Sequence, residues 1–220
     1  MKRLGARWRL AVVVVVVLSI PTLAVGLGGD EGVGAEQNAS IDAAAAAYTR
    51  YVTVHNTPET LTVDVPAEWT EVDEGPWKFG GADVGIYLAV SPQLGSFMTQ
   101  GRRTAPGVFI GASDVLAARY PGMGLLDADK STRGKACRSD GRKGYADSFY
   151  QGGTENYSLC DLGKTRNVVT VARSGDGKHV LLVWVNVVTD ADLAAAQRVL
   201  ASFQLLGEVN DDEHGHGDSN

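Results

Sequence analysis

Apolar residues occupy both faces of one stretch late in the chain, where side chains alternate at the two-residue period of a pleated strand. One face would carry Leu181, Val183, Val185 and Val187. The other would carry Val180, Leu182, Trp184 and Val188, interrupted only by Asn186. Because a strand with one face in water alternates apolar and polar residues, this pattern predicts a central strand that is covered on both sides.

A helix is predicted directly after this strand. Thr189 is a good N-cap residue, and Asp192 stands three positions on, where the second residue of a capping box belongs. Apolar residues then recur at helical spacing and would bury one stripe against the sheet: Leu193, Ala196, Leu200 and Phe203. Residues 179–203 therefore predict a strand followed at once by a long C-terminal helix.

Near the other end, two alternating runs at 51–55 and 61–65 predict a β-hairpin. The residues between them favour a turn: Asn56, Thr57 and Pro58. The second run would place three residues against the core: Leu61, Val63 and Val65. Residues 67–81 predict a loop that carries Trp69, Trp77 and Phe79.

The middle of the chain predicts short elements joined by turns. Strands are expected at 83–90, 108–110, 135–138, 145–150, 157–160 and 167–172. Gly152 and Gly153 form the clearest turn signal among them, and Gly175 to Gly177 predict the turn into the central strand. Short helices are expected at 92–99 and at 114–120, the second capped by Ser113, with a loop at 121–133.

About seven strands joined mostly by hairpins, two short helices and one long C-terminal helix define a fold class. The sequence predicts an α+β domain in which an antiparallel sheet is sandwiched by helices. We place this single domain at residues 49–206, after a linker at 36–48. The tail at 207–220 has almost no apolar residues and is predicted to be disordered, although its histidines and acids offer a loose divalent-metal patch as the alternative.

The first 35 residues predict a secretory signal or an N-terminal anchor. Four basic residues, Lys2, Arg3, Arg7 and Arg9, precede an apolar run at 10–20 that Pro21 interrupts. Cleavage after Ala24 or after Ala35 fits the small residues there, and the run is short for a membrane span of about 20 residues. We therefore expect a secreted or cell-surface protein, with an uncleaved anchor as the alternative.

The charge balance argues against nucleic acid as a partner. The formal charge is −6, and it becomes −8 without residues 1–35, which carry four basic and two acidic residues. An acidic protein is a poor ligand for nucleic acid or for an anionic membrane through its overall field.

The two cysteines, Cys137 and Cys160, both lie in the part predicted to be exported, so we expect them to form a disulfide. A free reactive thiol or a metal site is the alternative. Two cysteines without a neighbouring histidine are too few for a zinc site.

Several segments resemble one known family. LTVDVPAEWTEVDEGPW (61–77), APGVFIGAS (105–113), the two cysteines and VVTDADLAAAQRVLASF (187–203) are similar to a PsbP-like (Mog/PsbP-fold) exported domain of high-GC Gram-positive bacteria. That domain also occurs fused to trypsin-like serine proteases and to serine/threonine kinases. The resemblance implies an antiparallel sheet between helices. The activities of the fusion partners cannot be carried over, because this chain lacks the catalytic segments of both.

No catalytic constellation is apparent in the sequence. A nucleophile needs a nearby base and an oxyanion hole, and there is no G-x-S-x-G segment. Ser113 is better explained as a helix cap, and His55 and His179 as ordinary residues at strand ends. We predict no catalytic residue, no metal site and no cofactor.

Two segments are candidates for binding a partner. The aromatic loop offers Trp69, Trp77 and Phe79, which would otherwise cover a sheet edge as part of the core. A basic segment at 130–143 offers Lys135, Arg138, Arg142 and Lys143, which would otherwise form a solvated hairpin face. The sequence thus favours a monomeric, non-enzymatic binding or accessory domain of the cell envelope that recognises a protein or an envelope ligand. A small exported hydrolase with an unrecognised active site is the alternative.

Overall fold

A computed structural model describes residues 47–57, 59–99 and 102–207 of the chain. The predicted signal segment, most of the linker and all but Gly207 of the tail, with its histidines, lie outside the described residues. No helix in the described ranges is both long and apolar enough to cross a membrane.

Seven antiparallel strands form the main sheet, in the order β3-β4-β5-β9-β8-β7-β6. They are β3 (Glu71–Phe79), β4 (Ala82–Ser91), β5 (Gly107–Ser113), β6 (Arg138–Ala146), β7 (Tyr150–Leu159), β8 (Thr165–Ser174) and β9 (Val180–Val187). Strand β9 is the middle strand, and all eight of its residues are buried. The predicted central strand is therefore confirmed.

A smaller antiparallel sheet packs beside the main one, in the order β1-β2-β10. It contains β1 (Tyr51–His55), β2 (Leu61–Pro66) and β10 (Gln204–Leu205). The hairpin of β1 and β2 is the predicted one, and its three inward residues, Leu61, Val63 and Val65, are fully buried. The sequence did not predict a separate sheet, because the pairing of β10 with β2 joins residues far apart in the chain.

Five helical segments accompany the sheets in the described residues. They are α1 (Leu94–Met98), α2 (Asp114–Arg119), α3 (Gly124–Arg133), α4 (Cys160–Gly163) and α5 (Asp190–Ser202). The α4 segment is a single turn in which Asp161 and Leu162 have left-handed backbone angles. The predicted α+β class, with an antiparallel sheet between helices and a long C-terminal helix, is confirmed.

Two apolar cores lie on the two faces of the main sheet, and β9 contributes to both. Leu181, Val183, Val185 and Val187 pack with the small sheet and α5. Val180, Leu182 and Trp184 pack with residues of α1, α2 and α3. The alternation in the sequence assigned these side chains to the correct faces, except that Val188 lies beyond the strand and is 36% exposed.

The cap of α5 is as predicted, and the buried stripe is confirmed in part: Ala196 and Phe203 are buried, whereas Leu193 is exposed. Thr189 accepts a hydrogen bond from the Asp192 amide, and the Asp192 carboxylate accepts one from the Thr189 amide. The helix buries Ala191, Asp192, Ala195, Ala196 and Val199. Leu193 faces outward because the small sheet covers the side of the helix that carries the smaller residues.

Three local predictions were wrong. Residues 71–79 form the edge strand β3, where Pro76 is tolerated because an edge strand has one unpaired side. Residues 124–133 form α3, which is stabilised by burial of Leu125 and Leu126 against the sheet. Gly152 and Gly153 lie inside β7, and the chain turns instead at 147–149.

Candidate ligand-binding pocket

A cavity of about 560 Å³ opens between α3, α4 and the loop that precedes β5. Its walls combine charged and apolar side chains, among them Arg103, Asp129, Arg133, Leu159, Asp161 and Leu162. We call this cavity the arginine pocket.

The two arginines lie over the same aromatic side chain. The guanidinium carbons of Arg103 and Arg133 are 4.5 and 4.6 Å from the ring centroid of Trp184. Strand β9 presents Trp184 on the α1–α3 face, and Phe97 of α1 stacks on it with centroids 4.7 Å apart. The central strand therefore supplies a rigid aromatic platform, and cations over such a platform are stabilised by the ring quadrupole.

Arg133 is held in place by its own helix. Its Nε donates to both oxygens of Asp129, at 2.8 and 2.9 Å, one helical turn earlier, and its Nη1 donates to Asn167 Oδ1 at 3.2 Å. Burial raises the pKa of Asp129 above its usual range, and the charge of Arg133 opposes that rise. This side of the pocket is thus a fixed ion pair.

The hydrogen-bond donors of Arg103 are less well paired than those of Arg133. Its side chain is only 17% exposed, and its Nε is buried without a hydrogen-bond partner among the described residues. The nearest carboxylate is that of Asp161, 3.8 Å from Nη1, which is beyond hydrogen-bond distance. Burial and the neighbouring charge of Arg133 lower the pKa of Arg103. An arginine nevertheless stays protonated in a protein, so the pocket holds a guanidinium whose donors make no hydrogen bond within the described residues.

The opposite wall is the α4 turn, whose backbone has an unusual conformation. Leu159, Asp161 and Leu162 have φ angles of 54°, 46° and 67°, which residues other than glycine rarely adopt. The disulfide partners Cys137 and Cys160, with sulfurs 2.07 Å apart, join this turn to the segment after α3. The turn holds Leu159 and Leu162 at the rim, where they are 55% and 84% exposed.

The aromatic residues of the predicted loop are mostly buried in the structure. Trp69 is 1% exposed and packs edge-on against Tyr48, on the face of the sheet that α5 covers. Trp77 is 6% exposed and packs against Phe109 in the other core, while Phe79 is half-buried beside Tyr120. Trp77 and Phe79 stay together, with ring centroids 6.3 Å apart, whereas Trp69 lies in the opposite core.

The basic segment is largely neutralised by acids. Lys130 and Arg142 both bind the buried carboxylate of Glu155, and Arg142 also pairs with Asp127. Arg138 pairs with Asp140 on the surface. Only the exposed Lys135 and Lys143, of the basic residues proposed from the sequence, lack an ion pair within the described part of the chain.

Ser113 has a structural role as a helix cap, and His55 and His179 were the other residues considered for catalysis. Ser113 Oγ accepts from the Leu116 amide at 2.8 Å and donates to the Val84 carbonyl, as expected for a helix cap. Nδ1 of His55 lies 3.9 Å from Oε1 of Glu59. Neither His55 nor His179 makes a side-chain hydrogen bond to a hydroxyl in the described ranges. In those ranges no three His, Cys, Asp or Glu side chains are grouped so that they could hold a metal ion.

A second cavity, of about 620 Å³, lies near the turn between β8 and β9 and includes Arg173, Asp176 and Met123. The donors of Arg173 are occupied here. Nη1 donates to the Tyr120 carbonyl at 3.0 Å, and Nη2 donates to the Ala117 carbonyl at 2.8 Å. This arginine ties α2 to the sheet, so the second cavity is less suited to an anion than the arginine pocket.

Sequence reasoning missed Arg103, Asp161 and Trp184 as neighbours. Each lies in a different segment, and only the paired strands β5, β9 and β8 bring those segments to one place. The single local signal was Arg102-Arg103 in a loop of an acidic protein, which by itself predicts a solvated surface.

No family model matches this chain, and no curated protein sequence matches it. Among solved structures, the chain is similar to the Ran-binding protein Mog1p of Saccharomyces cerevisiae, with 10% identity and a TM-score of 0.40 over 71% of this chain and 95% of that one. It is also similar to the cyanobacterial PsbP protein CyanoP of Synechocystis, with 11% identity and a TM-score of 0.42 over 81% of this chain and 98% of that one. At such identities the likeness concerns the fold alone.

Proposed function

We propose that this chain is an exported, non-enzymatic binding or accessory domain of a bacterial cell envelope, and that it recognises a protein or an envelope ligand at the arginine pocket. The observation that carries the proposal is the Arg103 guanidinium, which is mostly buried over Trp184 and has no hydrogen-bond partner in the described residues. Buried polar groups in folded proteins are nearly always hydrogen-bonded. An unused set of donors at the wall of an open cavity is therefore suited to binding.

Export is supported by three independent features. A basic start and an apolar run open the chain, and Cys137 and Cys160 are at disulfide distance. The segments quoted above resemble exported domains of high-GC Gram-positive bacteria.

A binding role is supported over catalysis by the composition of the pocket. Its walls offer two arginines, two aspartates, Thr132 and Asn167, together with apolar side chains and Cys137 of the disulfide. Nucleophilic catalysis requires a nucleophile that is activated by an adjacent base. The hydroxyl of Thr132 donates to the Ala128 carbonyl at 3.3 Å, and the Asp129 carboxylate is paired with Arg133.

Two exposed lysines would extend the recognition surface, and one of them adjoins the pocket. Lys135 immediately precedes Ala136 and Cys137, which line the cavity, and Lys143 is exposed on β6. Both are free to meet acidic groups of a partner. Arg138 and Arg142 would contribute less, because they already have carboxylate partners.

Cross-linking in the native cells tests this function. The tagged full-length protein would be treated with a membrane-impermeant cross-linker on intact cells, and the captured species identified by mass spectrometry. We expect the same envelope component to be recovered with the wild-type protein and with Arg166→Met, a control at an exposed arginine. Recovery should be lost with Arg103→Met.

Two results would contradict the proposal. Failure of the impermeant reagent to reach the protein in intact cells would overturn export. Identical recovery with wild-type and Arg103→Met protein would overturn the assignment of recognition to this pocket.

A further inference from the structure

The unused donors of Arg103 define the charge that the pocket would accept. A guanidinium presents its N–H groups as a planar fork that matches a carboxylate or phosphate in a bidentate manner. Arg103 lies over Trp184, and its contact with Asp161, 3.8 Å from Nη1, is a loose ion pair, so within the described residues its fork is oriented but makes no hydrogen bond. A ligand that matches these donors is an oxygen anion.

The acids of the pocket limit how much negative charge can enter. Arg103 and Arg133 contribute two positive charges, and Asp129 and Asp161 contribute two negative charges, so the pocket has no formal net charge. Because the pocket is neutral, a dianion such as phosphate would leave two uncompensated negative charges there, whereas a monoanion would leave one. A monoanion needs only the one guanidinium that lacks a hydrogen-bonded partner.

The rim of the pocket defines a second property of the ligand. Leu159 and Leu162 are large apolar side chains that stand exposed beside the charged walls, and the left-handed conformation of α4 keeps them there. Non-glycine residues in this region carry a conformational cost that persists only where surrounding structure imposes it, often at functional sites. The disulfide at Cys160 supplies that constraint at the first residue of the turn.

We propose that the arginine pocket binds a single carboxylate group that carries an apolar substituent, with the carboxylate paired to Arg103 and the substituent packed on Leu159 and Leu162. This inference rests on the proposed binding function and specifies its ligand class. The volume of about 560 Å³ is within the range of pockets that hold small ligands, so the bound part would be about the size of one or two amino-acid residues.

Titration of the purified, oxidised protein with matched probes tests the proposal. N-acetyl-leucine provides the carboxylate and the apolar substituent, N-acetyl-leucinamide removes only the charge, and acetate removes the apolar part. We expect N-acetyl-leucine to bind at least about tenfold more tightly than either of the others, because one charge-assisted hydrogen bond corresponds to about a tenfold to hundredfold change in affinity. Calorimetry or amide chemical shifts would give the dissociation constants.

Variants separate the two halves of the site. Arg103→Met should weaken N-acetyl-leucine binding by about tenfold or more and leave the weak binding of the amide unchanged. Leu162→Ser should weaken N-acetyl-leucine and leave acetate unchanged. Arg166→Met should change neither, and thermal unfolding of each variant would show that it is folded.

A peptide end and a free small acid share this chemistry, and a longer probe distinguishes them. An acetylated tripeptide ending in leucine would bind several-fold more tightly than N-acetyl-leucine if the natural ligand is a peptide C-terminus. Equal affinity would indicate a free carboxylic acid.

Three results would overturn the proposal: equal binding of the acid and the amide, tighter binding of inorganic phosphate than of N-acetyl-leucine, or no saturable binding of any probe. If any of these occurs while capture in cells still depends on Arg103, the ligand class is wrong and the binding function stands.

Discussion

Glu155 on β7 has a fully buried side chain that is surrounded by donors. Lys130 donates to it at 2.7 Å, Arg142 donates at 2.9 Å, and Ser139 also donates to it. Burial alone would raise the pKa of Glu155, but these hydrogen bonds outweigh burial and lower the pKa to about 2. The carboxylate therefore joins α3, β6 and β7 through a single charged group.

Acid should destabilise the protein through this residue. Because the pKa is lower in the folded state than in the unfolded chain, the stabilisation is complete above the unfolded value and is lost as the pH falls through the folded value of about 2. We expect roughly 2 to 3 kcal/mol of the unfolding free energy to disappear between about pH 5 and pH 2 through Glu155. Urea denaturation across this range measures it.

Glu155→Gln should reduce stability at pH 7 by about 3 kcal/mol, because it leaves two cations beside a neutral buried group, and it should flatten the pH dependence. The matched variant Asp83→Asn, which breaks an exposed pair with Lys78, should cost less than about 1 kcal/mol and leave the pH dependence intact. A pH profile that is the same in Glu155→Gln and wild type would show that Glu155 is not the group that titrates.

At the scale of elements, β7 shows how a glycine pair was mistaken for a turn. Gly152 and Gly153 favour a hairpin turn by local propensity, yet they pair with Tyr145 and Gly144 inside the sheet. The structural reason for glycine is close approach. A Cβ atom at Gly152 would lie 1.8 Å from the Val171 carbonyl oxygen, and one at Gly153 would lie 2.3 Å from the Met123 side chain.

Gly152→Ala should therefore lower the free energy of unfolding by about 3 kcal/mol, since the obstacle is backbone of the neighbouring strand and cannot move aside cheaply. Gly144→Ala, on the adjacent strand, is the control. Nothing lies within 4 Å of its Cβ position, so its stability should stay within about 0.5 kcal/mol of wild type. Chemical denaturation gives the free energy of unfolding of both variants. Equal values would contradict the close packing of β7 on β8.

At the scale of the whole molecule, the disulfide connects the two walls of the arginine pocket. Cys137 follows the helix that carries Asp129 and Arg133, and Cys160 begins the turn that carries Asp161 and Leu162. The bond therefore constrains the unfolded chain and also fixes the width of the pocket.

Replacing both cysteines by alanine should lower stability by about 3 kcal/mol in the chain-entropy model. It should also weaken N-acetyl-leucine binding, because Leu159 and Leu162 would no longer be held at the rim. Denaturation and titration of the same double variant measure both effects. Unchanged affinity in a folded double variant would show that the disulfide is only a stabilising link.

Elements whose signals are local could be predicted from the sequence. The alternation in β9, the capping box at Thr189 and Asp192, the β1–β2 hairpin and the cap at Ser113 follow from side chains within a few positions of one another. These local signals were sufficient to predict the α+β class and the central strand.

Features that depend on contacts between distant parts of the chain became visible in the folded structure. Helix α3 is stabilised because Leu125 and Leu126 pack on an apolar face of the sheet. Trp69 and Trp77 are buried because each face of the sheet has its own apolar core. The arginine pocket is the strongest case, since Arg103, Arg133 and Trp184 have no shared local pattern. Their proximity results from strand order, which is set by the burial of β9 between its neighbours and by no signal within any single segment.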